Sequence, residues 1–132
     1  MLNPPNCVAC AWNGIKLMWI RNVSAPTIAL GLHPSAEILI QIGNWQPTPK
    51  KQFLEIHPFW FTAGWMPYRE VVIMRNVLTA AKLRNQDVIV QCFAGLQRSG
   101  AVVDYAKTLG FEDRGTFRWS SDYVFNRLMG DL

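Results

Sequence analysis

Cys92, Arg98 and Ser99 stand close together in "DVIVQCFAGLQRSG", the stretch from Asp87 to Gly100, and their types suit one kind of chemistry. A thiolate is a nucleophile, a guanidinium presents a planar fork of donors to two oxygens of a phosphate, and a neighbouring hydroxyl can hydrogen-bond the sulfur. The segments on either side of them would supply the geometry. "DVIVQ" is a continuous apolar, β-branched run, as expected of a strand buried on both faces in a mainly parallel sheet. A helix is expected from Ser99 to Leu109, closed by Gly110. Between strand and helix, Phe93, Ala94, Gly95, Leu96, Gln97 and Arg98 make a tight loop whose N–H groups can converge on an anion beside a helix N-terminus. Gly95 supplies a backbone conformation that a β-carbon resists. The positive potential of such a cradle favours the thiolate of Cys92.

The remaining elements must hold that loop in place. Three β-like runs precede it, "IKLMWI" (Ile15 to Ile20), "TIALGL" (Thr27 to Leu32) and "EILIQI" (Glu37 to Ile42), separated by Asn, Ser and Pro. "GNWQPTPKK" reads as a loop by its prolines, "QFLEI" (Gln52 to Ile56) as a further strand, and "HPFWFTAGWMP" as an aromatic loop bounded by prolines. From Tyr68 to Arg84 the apolar positions Val71, Val72, Leu78 and Ala81, with Met74 and Val77 between them, predict a helix. A last helix is expected over Ser121 to Met129, opened by Ser or Asp. Strands alternating with helices predict an α/β architecture, a central mostly parallel sheet flanked by helices in a single domain of 132 residues.

On the residues quoted, "VIVQCFAGLQRSG" resembles the signature loop of the cysteine-dependent protein tyrosine and dual-specificity phosphatases: a Cys, five residues, an Arg, and a Ser or Thr. Similarity is closest from about Asp87 to Gly110 and extends loosely back through the preceding helix to "FLEIHPFW"; the first fifty residues carry no resemblance. The chain is also similar in length to small bacteriophage-encoded relatives of the dual-specificity phosphatases. The resemblance implies attack by Cys92 on a phosphomonoester through a phosphocysteine. Arg98 would be the clamp, Ser99 the assisting hydroxyl, and Phe93 to Arg98 the amide cradle, with no metal or other cofactor. The substrate would be a phosphorylated protein or a small phosphomonoester, and Gln97 is a candidate to orient water by position.

Three positions depart from that family's pattern. Gln91 stands where the family has His before the nucleophile, and the final helix opens "SSDYVFNRL" instead of on Pro-Asn. The family's general acid is an Asp about thirty residues upstream, and "EIHPFWFTAGW" contains no Asp. Losing such an acid costs about two to four orders of magnitude in rate. The nearest substitutes are His57 and Glu55, alternate residues on a strand end whose side chains face the same way. With the acid and the preceding His absent, the alternative expectation is a pseudophosphatase that binds a phosphorylated ligand or a host protein.

Composition sets the outer limits. Half the residues are hydrophobic, with six Trp and seven Phe, which argues against disorder. There is no apolar run of transmembrane length and no secretory leader pattern, so no membrane partner and a cytoplasmic location are expected. Three cysteines are too sparse for a disulfide framework. Cys7 and Cys10 have the spacing of half a zinc knuckle, but a zinc site needs two more ligands and the other donors are Cys92, His33 and His57, so no metal is expected. Trp60, Phe61 and Trp65 could wall a cleft or pack a sheet edge. The net charge of +4, with Lys107, Arg114, Arg118 and Arg127 near Phe117 and Trp119, is diluted by Asp113, Asp122 and Asp131. These basic residues read as solvated surface, and nucleic acid is not the expected partner.

Overall fold

The computed structural model describes residues 17–130. The chain runs β1 (Trp19–Ser24), α1 (Ala25–Leu30), β2 (Ile38–Ile42), β3 (Glu55–Phe59), α2 (Tyr68–Leu83), β4 (Val88–Cys92), α3 (Arg98–Thr108), β5 (Glu112–Asp113) and α4 (Asp122–Met129). The five strands form one all-parallel sheet in the order β3-β2-β4-β1-β5, so the α/β architecture expected from the sequence is observed. β4 lies at the centre, and all five of its residues are buried, as are those of β2.

Alternation along the strands divides the core into two layers. On one face Ile20, Ile40, Val88, Val90 and Cys92 pack against Val71, Met74 and Leu78 of α2, Val102 and Ala106 of α3, and Val124 and Leu128 of α4. On the other, Trp19, Val23, Leu39 and Ile89 pack against Ile28 of the short helix α1. Each fully buried aliphatic side chain contributes about 1.5–3 kcal/mol, and this two-sided burial is why "DVIVQ" shows no polar alternation.

Several expected elements move or change type. "TIALGL" is not a strand: helix α1 occupies Ala25–Leu30, with Ser24 Oγ accepting from Thr27 N–H at 3.3 Å, Pro26 in the first turn and Gly31 at φ +70° ending it. Cap, proline and glycine outweigh the β-branched content, and six residues are too few for a 3.6-residue period to show. Of the strand expected at Ile15–Ile20, Ile15 and Lys16 lie outside the described residues; the first described strand covers Trp19–Ser24 and runs through Asn22, an expected breaker. Asn22 is tolerated inside a buried strand because its amide is fully hydrogen-bonded. The strand expected at Gln52–Ile56 is β3 at Glu55–Phe59, and it contains Pro58 because it is an edge strand. The other expected helices agree to within one residue, with Ser121 capping α4.

Between β5 and α4 the segment Gly115–Ser121 forms a strap across α3. Arg118 Nη2 donates to Asp104 Oδ1 at 2.6 Å and to Asp113 Oδ2 at 2.8 Å, and Ser120 Oγ donates to Asp104 Oδ2. The Arg118 side chain is only 13 % exposed, so it is part of the structure and not the solvated surface its sequence context suggests. Burial alone would push the Asp113 carboxyl up. The hydrogen bonds from Arg118 and Gly115 N–H, with the charges of Arg118 and Lys107, outweigh that and hold it below its ordinary value.

A carboxyl depressed in the folded state stabilises fully above its unfolded value, near pH 4, and loses that contribution as pH falls through the folded value. The wild-type thermal midpoint is therefore expected to fall between about pH 5 and about pH 2.5 more steeply than that of Arg118→Met. Equal slopes in a calorimetric pH series would remove this pair as the cause.

Candidate active site

Parallel strands bring their carboxyl ends to one edge, and the crevice opens where neighbouring connections leave in opposite directions. Here the chain leaves β2 toward β3 on one side and leaves β4 toward β5 on the other, so that point lies between β2 and β4. Cys92 ends β4, and Phe93–Gln97 bend without forming a hydrogen-bonded turn before α3 begins at Arg98. Among the described residues, the amides of Ala94 to Arg98 donate to no loop or turn carbonyl and to no side chain. Backbone donors with no such partner beside the N-terminus of an eleven-residue helix are the kind of feature that suits an anion.

Close contacts hold this loop on every side. Gly95 has φ +74°, and a Cβ there would lie 2.6 Å from Val23 C and 2.7 Å from Ser24 N, so only glycine allows the loop to approach the end of β1. Asn22, fully buried on β1, donates from Nδ2 to Gly95 O at 2.7 Å and to Thr116 Oγ1 at 3.2 Å, and its Oδ1 accepts from Thr116 N–H at 2.9 Å. Ala25 N–H donates to Phe93 O at 3.1 Å. Gln91, also fully buried, donates to Trp45 O and accepts from Gln41 Nε2, both at 3.1 Å, tying the β2–β3 loop to the base of the site.

Cys92 Sγ and Ser99 Oγ lie 3.2 Å apart in a hydrogen bond, both side chains buried. Arg98 reaches across the crevice, donating from Nη1 to Phe61 O at 3.3 Å, and a Cβ on Gly43 would stand 2.8 Å from that nitrogen. Gly43, at φ +108° just beyond β2, thus leaves the room the guanidinium occupies. A cavity of about 270 Å³ is lined by Cys92, Phe93, Ala94, Leu96, Gln97, Arg98 and Trp119. The structure therefore brings together Cys92, Arg98, Ser99 and the Phe93–Arg98 loop.

His57 is not brought to them. It lies on edge strand β3, in register with Ile40 and, one strand further, Val90. Its Nε2 lies 2.8 Å from Glu55 Oε1, toward the opposite end of the strand, and Glu55 Oε2 accepts from Arg84 at 3.3 Å. The two side chains face the same way, as their alternation predicts, but they are occupied with each other. Phe61 is core, whereas Trp60 and Trp65 are more than half exposed and pack edge to face at 6.4 Å without lining the Cys92 cavity. Three contributors were missed from sequence: Asn22, Gly43 and Trp119. Asn22 and Gly43 look like ordinary breakers, and Trp119 lies twenty-seven residues beyond Cys92.

No group of three or more His, Cys, Asp or Glu among the described residues could hold a metal ion, and Cys7 and Cys10 lie outside those residues. Among the described residues no helix is long and apolar enough to cross a membrane.

Replacing Asn22 with Ala strands the buried Gly95 carbonyl and removes the partner of the part-buried Thr116 amide. It is expected to cost about 2–4 kcal/mol in urea unfolding. The same variant is expected to weaken inorganic phosphate binding, because the loop loses its anchor; unchanged stability and affinity would show that Asn22 holds nothing.

No protein-family model and no curated protein matches the chain.

Proposed function

We propose that the protein hydrolyses phosphomonoesters through a phosphocysteine at Cys92. The observation that carries this reading is the Cys92–Ser99 hydrogen bond at the floor of a loop whose amides are open and whose next residue is Arg98. The loop amides and the Arg98 fork hold the phosphoryl oxygens, stabilising charge that builds in the transition state. Cys92 Sγ attacks phosphorus, the S–P bond forms, and the bond from phosphorus to the leaving oxygen breaks with its electron pair going to that oxygen. Water then attacks phosphorus, its proton passes to solvent, the S–P bond breaks, and sulfur leaves as a thiolate that the Ser99 hydroxyl can donate to. A working thiolate needs a reducing compartment, and the cytoplasm supplies one.

No carboxylate and no imidazole is among the described residues lining the cavity. The leaving oxygen then departs as an oxyanion or takes its proton from water, which favours phenolic over alkyl leaving groups. The same observation supports a second reading, a pseudophosphatase that binds a phosphorylated ligand, or a host protein, without turnover.

For substituted phenyl phosphates, kcat/KM is expected to rise steeply with the acidity of the leaving phenol. Cys92→Ser should abolish turnover while inorganic phosphate still binds, and His57→Ala should leave the pH profile unchanged. A wild-type protein that binds phosphate and never turns over selects the second reading; turnover that survives Cys92→Ser excludes the phosphocysteine.

A further inference from the structure

We infer that Trp119 is the residue that recognises the organic part of the substrate, stacking on a planar aromatic group while the loop holds the phosphate. The inference rests on the anion-site reading of the loop and adds what lies at its mouth. Trp119 lines the same cavity as Cys92 and Arg98 although it belongs to the strap, far from them in sequence.

An exposed indole on a loose loop would lose entropy on binding, and this one is held. Both of its chain neighbours are fixed on one carboxylate, Arg118 through Asp104 Oδ1 at 2.6 Å and Ser120 through Asp104 Oδ2. One residue further, Ser121 N–H donates to Gln97 O at 3.0 Å, binding the strap to the last residue before α3, and Ser121 Oγ donates to Ala63 O at 2.6 Å. The Arg118 stem crosses Gly100 so closely that a Cβ there would sit 2.9 Å from Arg118 Cδ. The backbone of Trp119 is thus anchored on both sides while 65 % of the residue remains exposed.

Phe117 meets the indole in a T-shaped contact at 5.3 Å and 75°, which braces the ring and can cover no more than one of its two faces. Phe93, 61 % exposed, lines the same cavity as a second aromatic side chain and packs against Trp45 at 5.8 Å. Two aromatic side chains bracket an anion-binding floor, and neither carries a charge that would select an extended polar substrate. A planar aryl group joined to phosphate covers the exposed indole; a methyl group does not reach it. Pre-organisation by the clamp lowers the ordering cost of that contact.

The test is calorimetric titration of the full chain with phenylphosphonate, methylphosphonate and inorganic phosphate, for wild type, Trp119→Ala and Trp119→Phe. The expected result is a loss of about 3- to 10-fold in phenylphosphonate affinity for Trp119→Ala, with methylphosphonate held within about twofold and most of the loss restored in Trp119→Phe. Equal losses for both phosphonates, or none for either, would overturn the role of Trp119 while leaving the anion site intact. A wild-type protein that binds none of the three anions would overturn the anion site and this inference together.

Discussion

The loop that follows β4 lies against the end of β1 with no room for a side chain between them, and the rest of the site depends on that approach. Val23 and Ser24 present backbone atoms to Gly95 within van der Waals distance. The approach is possible because β1 and β4 are parallel neighbours in register, Ser24 beside Cys92, so both strands end at the same level. β1 then turns at once into α1 under its Ser24 cap, which keeps the chain clear of the loop mouth. With the loop pressed onto β1, its carbonyl at Gly95 accepts from Asn22, while among the described residues the amides of Ala94 to Arg98 donate to no loop or turn carbonyl.

Two kinds of force share the work of positioning. Apolar burial places the sheet and its helices, and it is non-directional. Direction comes from a few polar side chains: the buried Asn22 on β1 and Gln41 and Gln91 on adjacent strands, and the partly buried Asp104 on α3. Each of them joins a strand or helix to a loop at the carboxyl edge. Gln91 does not touch Cys92's partners; its amide spans to Gln41 and Trp45 instead, and so braces the loop after β2 that makes room for Arg98.

Much of this was readable from residue order, and the parts that were not share a physical character. The central strand, its loop and α3 were legible because "VIVQ", Gly95 and the Cys92–Arg98–Ser99 spacing are all local signals. α2 was legible by its period, with Val71, Met74, Leu78 and Ala81 buried. α1 was hidden because its signals are its ends, Ser24, Pro26 and Gly31, while its middle carries the β-branched residues Thr27 and Ile28. β5 is two residues long and exists only through pairing with Trp19 and Ile20. Trp119 and Asn22 reach the site by contacts spanning more than twenty residues, which no local pattern encodes. The expectation that His57 serves the site came from its place in the segment where the resembled family has its acid and from alternation with Glu55, which gives the face of a sheet and not the distance along it.

The strap has a consequence for how such a chain can drift in sequence. Arg118 needs Asp104 and Asp113 as acceptors, and its stem passes over Gly100 where no β-carbon fits. Losing either carboxylate leaves Arg118 with one acceptor instead of two, and a side chain at Gly100 takes the path of its stem. The four positions are therefore physically coupled, whereas the indole they support takes no part in their hydrogen bonds.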